Sequence, residues 1–214
     1  MKVFLSYLIE YKDIAAKIKR ILDEFGFQSF LAHDDIQPTQ DWIKTILEYL
    51  KKSQIFLPIL TRNFQKSEWV NQEIGYALAK NKLIIPMKID INPPGFLLKF
   101  QALKYNPNKR FPLSRMLQVI GKNQKSGGKL RDLLIEKFGQ SGSWAEAGMN
   151  TQYLLSVNNY SEEQVLRIIE KTMSNDQIYY SFRARPLLLS FVKNQSYKLD
   201  KRLMREFEKK LSKY

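Results

Sequence analysis

The residues best suited to chemistry lie within residues 61–77, where a Trp and a Glu stand four positions apart. If Ser67 caps a helix here, Trp69 and Glu73 are neighbours on its surface, and Glu73 falls at the edge of the apolar stripe. A carboxylate beside an aromatic face could bind a planar, cationic or sugar-bearing ligand. A solvent-facing Glu beside a half-buried Trp would give the same pattern, so both interpretations stay open.

A second polar segment, residues 32–42, is acidic and follows a predicted strand. Asp34 and Asp35 could coordinate a metal ion or orient a ribose, whereas a surface turn would use the same carboxylates to bond its own backbone. The single histidine, His33, is a weaker candidate for a general base, because spacing alone names no partner for it.

The composition of this chain of 214 residues excludes several classes of site. With no Cys and only one His, the sequence excludes a disulfide framework, a thiolate zinc site and the His pairs of most zinc enzymes. The glycine-rich Rossmann fingerprint and a matching phosphate-binding loop are also absent from the sequence. No apolar run reaches the roughly 20 residues that a membrane-spanning helix needs. We therefore expect a soluble, cytoplasmic protein.

Basic charge is concentrated in the second half of the chain. Residues 101–214 hold 21 Lys and Arg against 10 Asp and Glu, whereas residues 1–100 hold 14 against 11. A basic half could bind nucleic acid, an anionic membrane or an acidic partner, although a solvated helical surface explains the same pattern. No nucleic-acid-binding motif accompanies the charge, so nucleic acid is not the expected partner, and without a spanning segment we expect no membrane partner either.

Alternating strand and helix patterns predict the elements that would position these residues. Short apolar runs predict strands at about 2–7, 27–31, 54–60 and 83–89, with a fifth within 98–105. Helical periodicity between them is typical of a parallel sheet with right-handed crossovers. After about residue 110 the strand signals fade and almost wholly helical structure is predicted. Polar segments that follow the strands are the expected ligand sites, because open parallel sheets bind ligands beyond the carboxyl ends of their strands.

Four groups of residues together resemble a bacterial TIR (Toll/interleukin receptor) domain. They are Phe4-Leu5-Ser6-Tyr7, residues 30–38 with Trp42, Leu60-Thr61 with residues 67–69 and 73–75, and Ile84-Ile85-Pro86. The resemblance covers roughly residues 1–105. It implies an α/β, flavodoxin-like fold, in which a five-stranded parallel sheet of order 2-1-3-4-5 carries helices on both faces. We predict a TIR domain at residues 1–125 and an α-helical C-terminal region at 126–214.

Members of this family are either adaptors or enzymes that cleave NAD. The enzymes carry a catalytic Glu four residues after a Trp in the third helix, and Trp69 and Glu73 match that spacing. The resemblance therefore implies an NAD glycohydrolase or ADP-ribosyl cyclase with Glu73 as catalytic residue. Such an enzyme would release nicotinamide and either ADP-ribose or a cyclic ADP-ribose-type signal, in antiphage defence. The alternative is a non-enzymatic scaffold that acts through TIR–TIR assembly.

The resemblance also implies substrate-binding residues, which would be Ser6, Tyr7, Asp34, Asp35, Trp42 and Trp69. No metal ion and no cofactor are expected, since NAD is the substrate and its nicotinamide is already a good leaving group. Self-association through the TIR domain is expected, because the acidic loop would join neighbouring subunits. A separate effector could sense the product.

Overall fold

The structure is a computed structural model that describes residues 1–31, 42–195 and 199–212 of the chain. The chain divides into two units, Met1–Val119 and Ile120–Tyr214. The acidic segment that contains His33, Asp34 and Asp35 lies outside the described residues.

The first unit is built on a parallel sheet. Its strands are β1 (Lys2–Ser6), β2 (Gln28–Leu31), β3 (Ile55–Leu60), β4 (Leu83–Ile84), β5 (Met87–Lys88) and β6 (Leu103–Lys104). They lie in the order β2-β1-β3-β5-β6, and β4 also pairs with β3. All these pairs are parallel, which confirms the predicted fold class.

Within the described residues the sheet has six strands, because the predicted fourth strand is divided into β4 and β5. Phe56 pairs with Ile84 and Ile59 pairs with Met87, so Pro58 and Pro86 lie opposite each other. Neither proline has an N–H to donate to a ladder. Counted as one strand, β4 and β5 restore the predicted order 2-1-3-4-5.

The helices of the first unit are α1 (Lys12–Phe25), α2 (Trp42–Lys52), α3 (Glu68–Ala79) and α4 (Leu113–Lys122), which runs past the division between the units. Phe4, Phe30 and Phe56 are register partners and form one core cluster with the buried apolar faces of α2 and α3. Val3 and Leu5 point to the opposite face, since side chains alternate along a strand, and both are buried. Apolar burial on both faces explains why β3 is buried along its whole length.

The second unit is helical in its described residues. Its elements are α5 (Gly127–Gly139), α6 (Trp144–Leu155), α7 (Glu162–Ser174), α8 (Asp176–Tyr179), α9 (Ala184–Asn194) and α10 (Lys201–Ser212). A capping box begins α7, where the backbone N–H and side chain of Ser161 exchange two hydrogen bonds of 3.2 Å with Gln164. None of the described helices has the length and apolar character needed to cross a membrane.

Candidate active site

The helix α3 begins at the predicted cap and directs its buried face toward the sheet. The Ser67 hydroxyl accepts a hydrogen bond of 3.4 Å from the backbone N–H of Val70. This bond satisfies one of the unpaired donors of the first helical turn. Val70, Ile74 and Glu73 all lie on the buried face of the helix, so the start of α3 sets the orientation of the Glu73 side chain.

The Glu73 carboxyl group is buried, although the sequence placed it only at the edge of the apolar stripe. Its residue is 8% exposed, and its Oε2 accepts a hydrogen bond of 2.6 Å from the Ser6 hydroxyl. Ser6 is the last residue of β1 and is itself buried. The alternative of a solvent-facing Glu is therefore wrong, because the packing of α3 against the sheet encloses the edge of the stripe.

Burial raises the pKa of Glu73 from 4.5 to about 7, while the hydrogen bond from Ser6 lowers it. Desolvation has the larger effect because an ionised carboxylate loses its hydration in an apolar site. Near neutral pH the group is therefore present in both protonation states. A carboxyl group with a raised pKa inside a cleft is a common feature of functional sites.

Glu73 lines a cavity of about 380 Å³ at the carboxyl ends of β1 and β3. Tyr7, Trp42 and Trp69 supply aromatic walls to this cavity. The rings of Trp42 and Trp69 meet edge to face, with 4.6 Å between their centroids and an interplanar angle of 80°. Trp69 remains 39% exposed, so part of its ring is available to a ligand. The cleft thus combines one buried carboxyl group with aromatic surface.

The structure brings four of the predicted site residues together in the cleft, which are Tyr7, Trp42, Trp69 and Glu73. Ser6 lies behind them, where it bonds Glu73 and does not line the cavity. Whether these residues contact a substrate stays a prediction. Asp34 and Asp35 lie outside the described residues. Within residues 1–31, 42–195 and 199–212, no cluster of three or more His, Asp or Glu side chains is suited to hold a metal ion.

Four further polar residues of the described cleft were not predicted as site residues, although Ser67 was predicted as the cap of α3. Glu10, Asn63, Lys66 and Ser67 also line the cavity. Asn63 adopts a left-handed backbone conformation, with φ of 64°, just before the short 3-10 helix Phe64–Lys66. The sequence could have indicated them by their position in the chain. They follow β1 and β3, and parallel sheets bind ligands beyond the carboxyl ends of their strands.

Replacing Ser6 with Ala is expected to raise the pKa of Glu73 further, because the hydrogen bond that stabilises the ionised form is lost. The pKa is measured by following the Glu73 carboxyl carbon in an NMR titration. Ser53→Ala is the matched control, since Ser53 is also buried in the first unit and its hydroxyl donates to the backbone oxygen of Tyr49. An unchanged Glu73 titration in the Ser6 variant would show that the bond does not stabilise the carboxylate.

Comparisons with known proteins extend over the unit that contains this cleft. A family model described as TIR domain matches residues 3–116, which include all the predicted site residues. A similar solved structure is the TIR domain of the Toll-related receptor TRR-2 from the lower metazoan Hydra magnipapillata. The two chains are 19% identical with a TM-score of 0.44, and the match covers 48% of this chain and 82% of that chain. A search of curated proteins finds no match.

Proposed function

We propose that this chain, which belongs to the TIR domain family, is an enzyme that cleaves the bond between nicotinamide and ribose in NAD. The observation that carries the proposal is the buried carboxyl group of Glu73 in a cleft with aromatic walls. Burying an ionisable group without an opposite charge costs stability. A scaffold that acts only through its surface has no use for such a group, whereas an enzyme that stabilises positive charge does.

The proposed reaction uses the ionised form of the Glu73 carboxyl group. Its nicotinamide is positively charged and leaves as a neutral molecule, so no proton has to be supplied to the leaving group. As the bond breaks, oxocarbenium character develops on the ribose, as it does in glycoside hydrolysis. A carboxylate in a site with little water stabilises that charge more strongly than it would in solution. Glu73 supplies such a carboxylate in the fraction of molecules in which it is ionised.

Other residues of the cleft support binding of a dinucleotide. Trp42 and Trp69 present aromatic surface on which a base can stack. Lys66 and the N-terminus of α3 provide positive charge at the same cavity, which suits the diphosphate that joins the two halves of NAD. The cleft therefore has complementary groups for an aromatic ring, a ribose cation and a diphosphate.

The acceptor of the ADP-ribosyl group determines the product. Water gives ADP-ribose, and the adenine held close to the ribose gives a cyclic ADP-ribose-type signal. Self-association of the TIR domain would bring the acidic segment of one subunit to the site of another. A role in antiphage defence, through a separate effector that senses the product, stays a prediction from the family resemblance.

The experiment that tests the proposal is incubation of the full chain with NAD at several protein concentrations. Mass spectrometry resolves the products. We expect one nicotinamide to be released for each NAD consumed, with activity per molecule rising with protein concentration if assembly completes the site. Absence of cleavage at every protein concentration, in a folded sample, would contradict the enzymatic proposal and favour the scaffold.

A further inference from the structure

A second cavity, of about 430 Å³, lies at the carboxyl ends of β5 and β6 in the first unit. Lys88 and Lys104 are the last residues of these two strands. The loop after β6 contributes Lys109 and Arg110. The cavity shares no described lining residue with the cleft of Glu73. Parallel α/β folds bind ligands beyond the carboxyl ends of their strands, which is where this cavity lies. Its volume is in the range of small-molecule sites.

The described lining of this cavity is strongly basic. Four of its residues carry positive charge, namely Lys88, Lys104, Lys109 and Arg110, and none is acidic. Asp90 follows the lining residue Ile89 in the chain, but its Oδ2 accepts a hydrogen bond of 3.0 Å from the backbone N–H of Arg62. Like charges held around one cavity repel each other, and an anionic ligand would relieve that repulsion.

The loop that carries two of these charges is held in place by hydrogen bonds. The Asn106 backbone oxygen accepts a bond of 2.8 Å from Lys109 N–H, and its side-chain oxygen accepts one of 2.9 Å from Asn108 N–H. The ammonium group of Lys17 in α1 also donates to the backbone oxygen of Pro107 at 2.5 Å. The loop is thereby ordered before any ligand binds, which lowers the entropic cost of binding.

Tyr105 forms part of the wall of this cavity. It lines the cavity and is only 4% exposed, yet its hydroxyl has no hydrogen-bond partner among the described residues. A buried hydroxyl without a partner costs about 1–3 kcal/mol. Desolvation raises the pKa of Tyr105, so the hydroxyl keeps its proton near neutral pH. The Nζ of Lys88 donates to Asn92 Oδ1 at 2.6 Å, which leaves two further N–H donors on that ammonium group.

We propose that this cavity binds a phosphorylated small molecule that carries at least two linked phosphate groups, at a site separate from that of Glu73. Four positive side chains match the charge of a diphosphate or triphosphate better than that of a single phosphate. Lysine and arginine form short, charge-assisted hydrogen bonds to phosphate oxygens. Ile89 and the ring of Tyr105 add apolar surface for a group attached to the phosphates.

The test measures binding of two probes, inorganic tripolyphosphate and ATP, to the full chain by calorimetry at physiological salt. We expect one molecule of probe per chain and a dissociation constant about tenfold or more weaker in the variant Lys104→Ala/Lys109→Ala. Tyr105→Phe should weaken binding less, because it removes no charge. Tighter binding of ATP than of tripolyphosphate would assign a nucleotide as ligand, and the reverse order would assign an inorganic polyphosphate.

The matched control is Lys51→Ala/Lys80→Ala, which removes the same charge from exposed positions of the first unit away from the cavity. Its affinity should stay within about twofold of the parent. Equal weakening in both double variants would show that the probes respond only to the net charge of +14. That outcome, or absence of binding to the parent, would overturn the proposal. The calorimetry measures binding and not NAD cleavage, so its result does not depend on the proposed activity of Glu73.

Discussion

Glu73→Gln is expected to lower the rate of NAD cleavage by about 100- to 1,000-fold while the protein stays folded. The substitution keeps the shape of the side chain and a hydrogen bond with Ser6, but removes the negative charge that would stabilise the oxocarbenium ion. The rate is measured as nicotinamide released under single-turnover conditions. A group that acted only through packing would tolerate this substitution, so the Gln variant separates charge from shape.

Glu68→Gln is the control for this prediction, because Glu68 lies on the same helix, is exposed and does not line the cleft. It should cleave NAD at the parental rate. In the parent, kcat/KM should rise with pH through about 7, since burial raises the pKa of Glu73 to about 7 and the ionised form is the active one. Parental activity in a folded Glu73→Gln protein would show that the chemistry lies elsewhere.

The same substitution is expected to stabilise the protein in alkaline solution. The pKa of Glu73 is raised in the folded state, to about 7 from 4.5. Between these two pH values the unfolded chain releases a proton that the folded chain keeps, so the free energy of unfolding falls as pH rises. The full decrease in the free energy of unfolding, reached above pH 7, is about 3 kcal/mol. Gln does not titrate. Between pH 4.5 and pH 8 the free energy of unfolding of the Glu73→Gln variant should therefore rise by about 3 kcal/mol relative to that of the parent.

Urea unfolding at a series of pH values measures this effect. A Trp144→Phe background leaves Trp42 and Trp69 as the fluorescent Trp reporters, both in the first unit. Comparing the parent with Glu73→Gln cancels the titration of all other groups, and Glu68→Gln should follow the parent. A stability difference between the parent and the Gln variant that does not change with pH would mean that the carboxyl group titrates normally in the folded state.

Both predictions rest on one physical property of Glu73. The desolvation that makes its carboxylate effective toward a developing cation also makes the folded protein less stable when that carboxylate is ionised. Stability lost at a functional residue is a common compromise in enzymes. An arriving nicotinamide cation would reduce the cost, because an opposite charge favours the ionised form.

The local sequence determined most of the elements of the first unit. Apolar runs predicted each strand of the sheet to within a few residues, because a strand buried on both faces must be apolar throughout. Gly26 ends α1 with φ of 112°, a conformation that suits a residue without a side chain. Ser67 likewise began α3. These features depend on near neighbours in the chain, so they could be predicted from the sequence.

The sequence pattern did not predict the helix α6 as a separate element. Its buried residues include Ala147, Gly148, Asn150 and Thr151, which are small or polar. Such residues allow close packing between helices but leave little apolar periodicity in the sequence. The division of the predicted fourth strand also depended on a neighbour, because Pro58 and Pro86 meet only when the strands are in register.

For the candidate site, the sequence by itself determined the spacing of Trp69 and Glu73 and the position of both on one helix. Only the tertiary structure decided that Glu73 is buried, that Ser6, 67 positions away, bonds it, and that Lys88 and Lys104 share a basic cavity. The reason is that a pKa and a cavity depend on how water is excluded by segments distant in the chain. The helical pattern locates a residue at the edge of an apolar stripe, but the packing of the helix on the sheet determines whether that edge is covered.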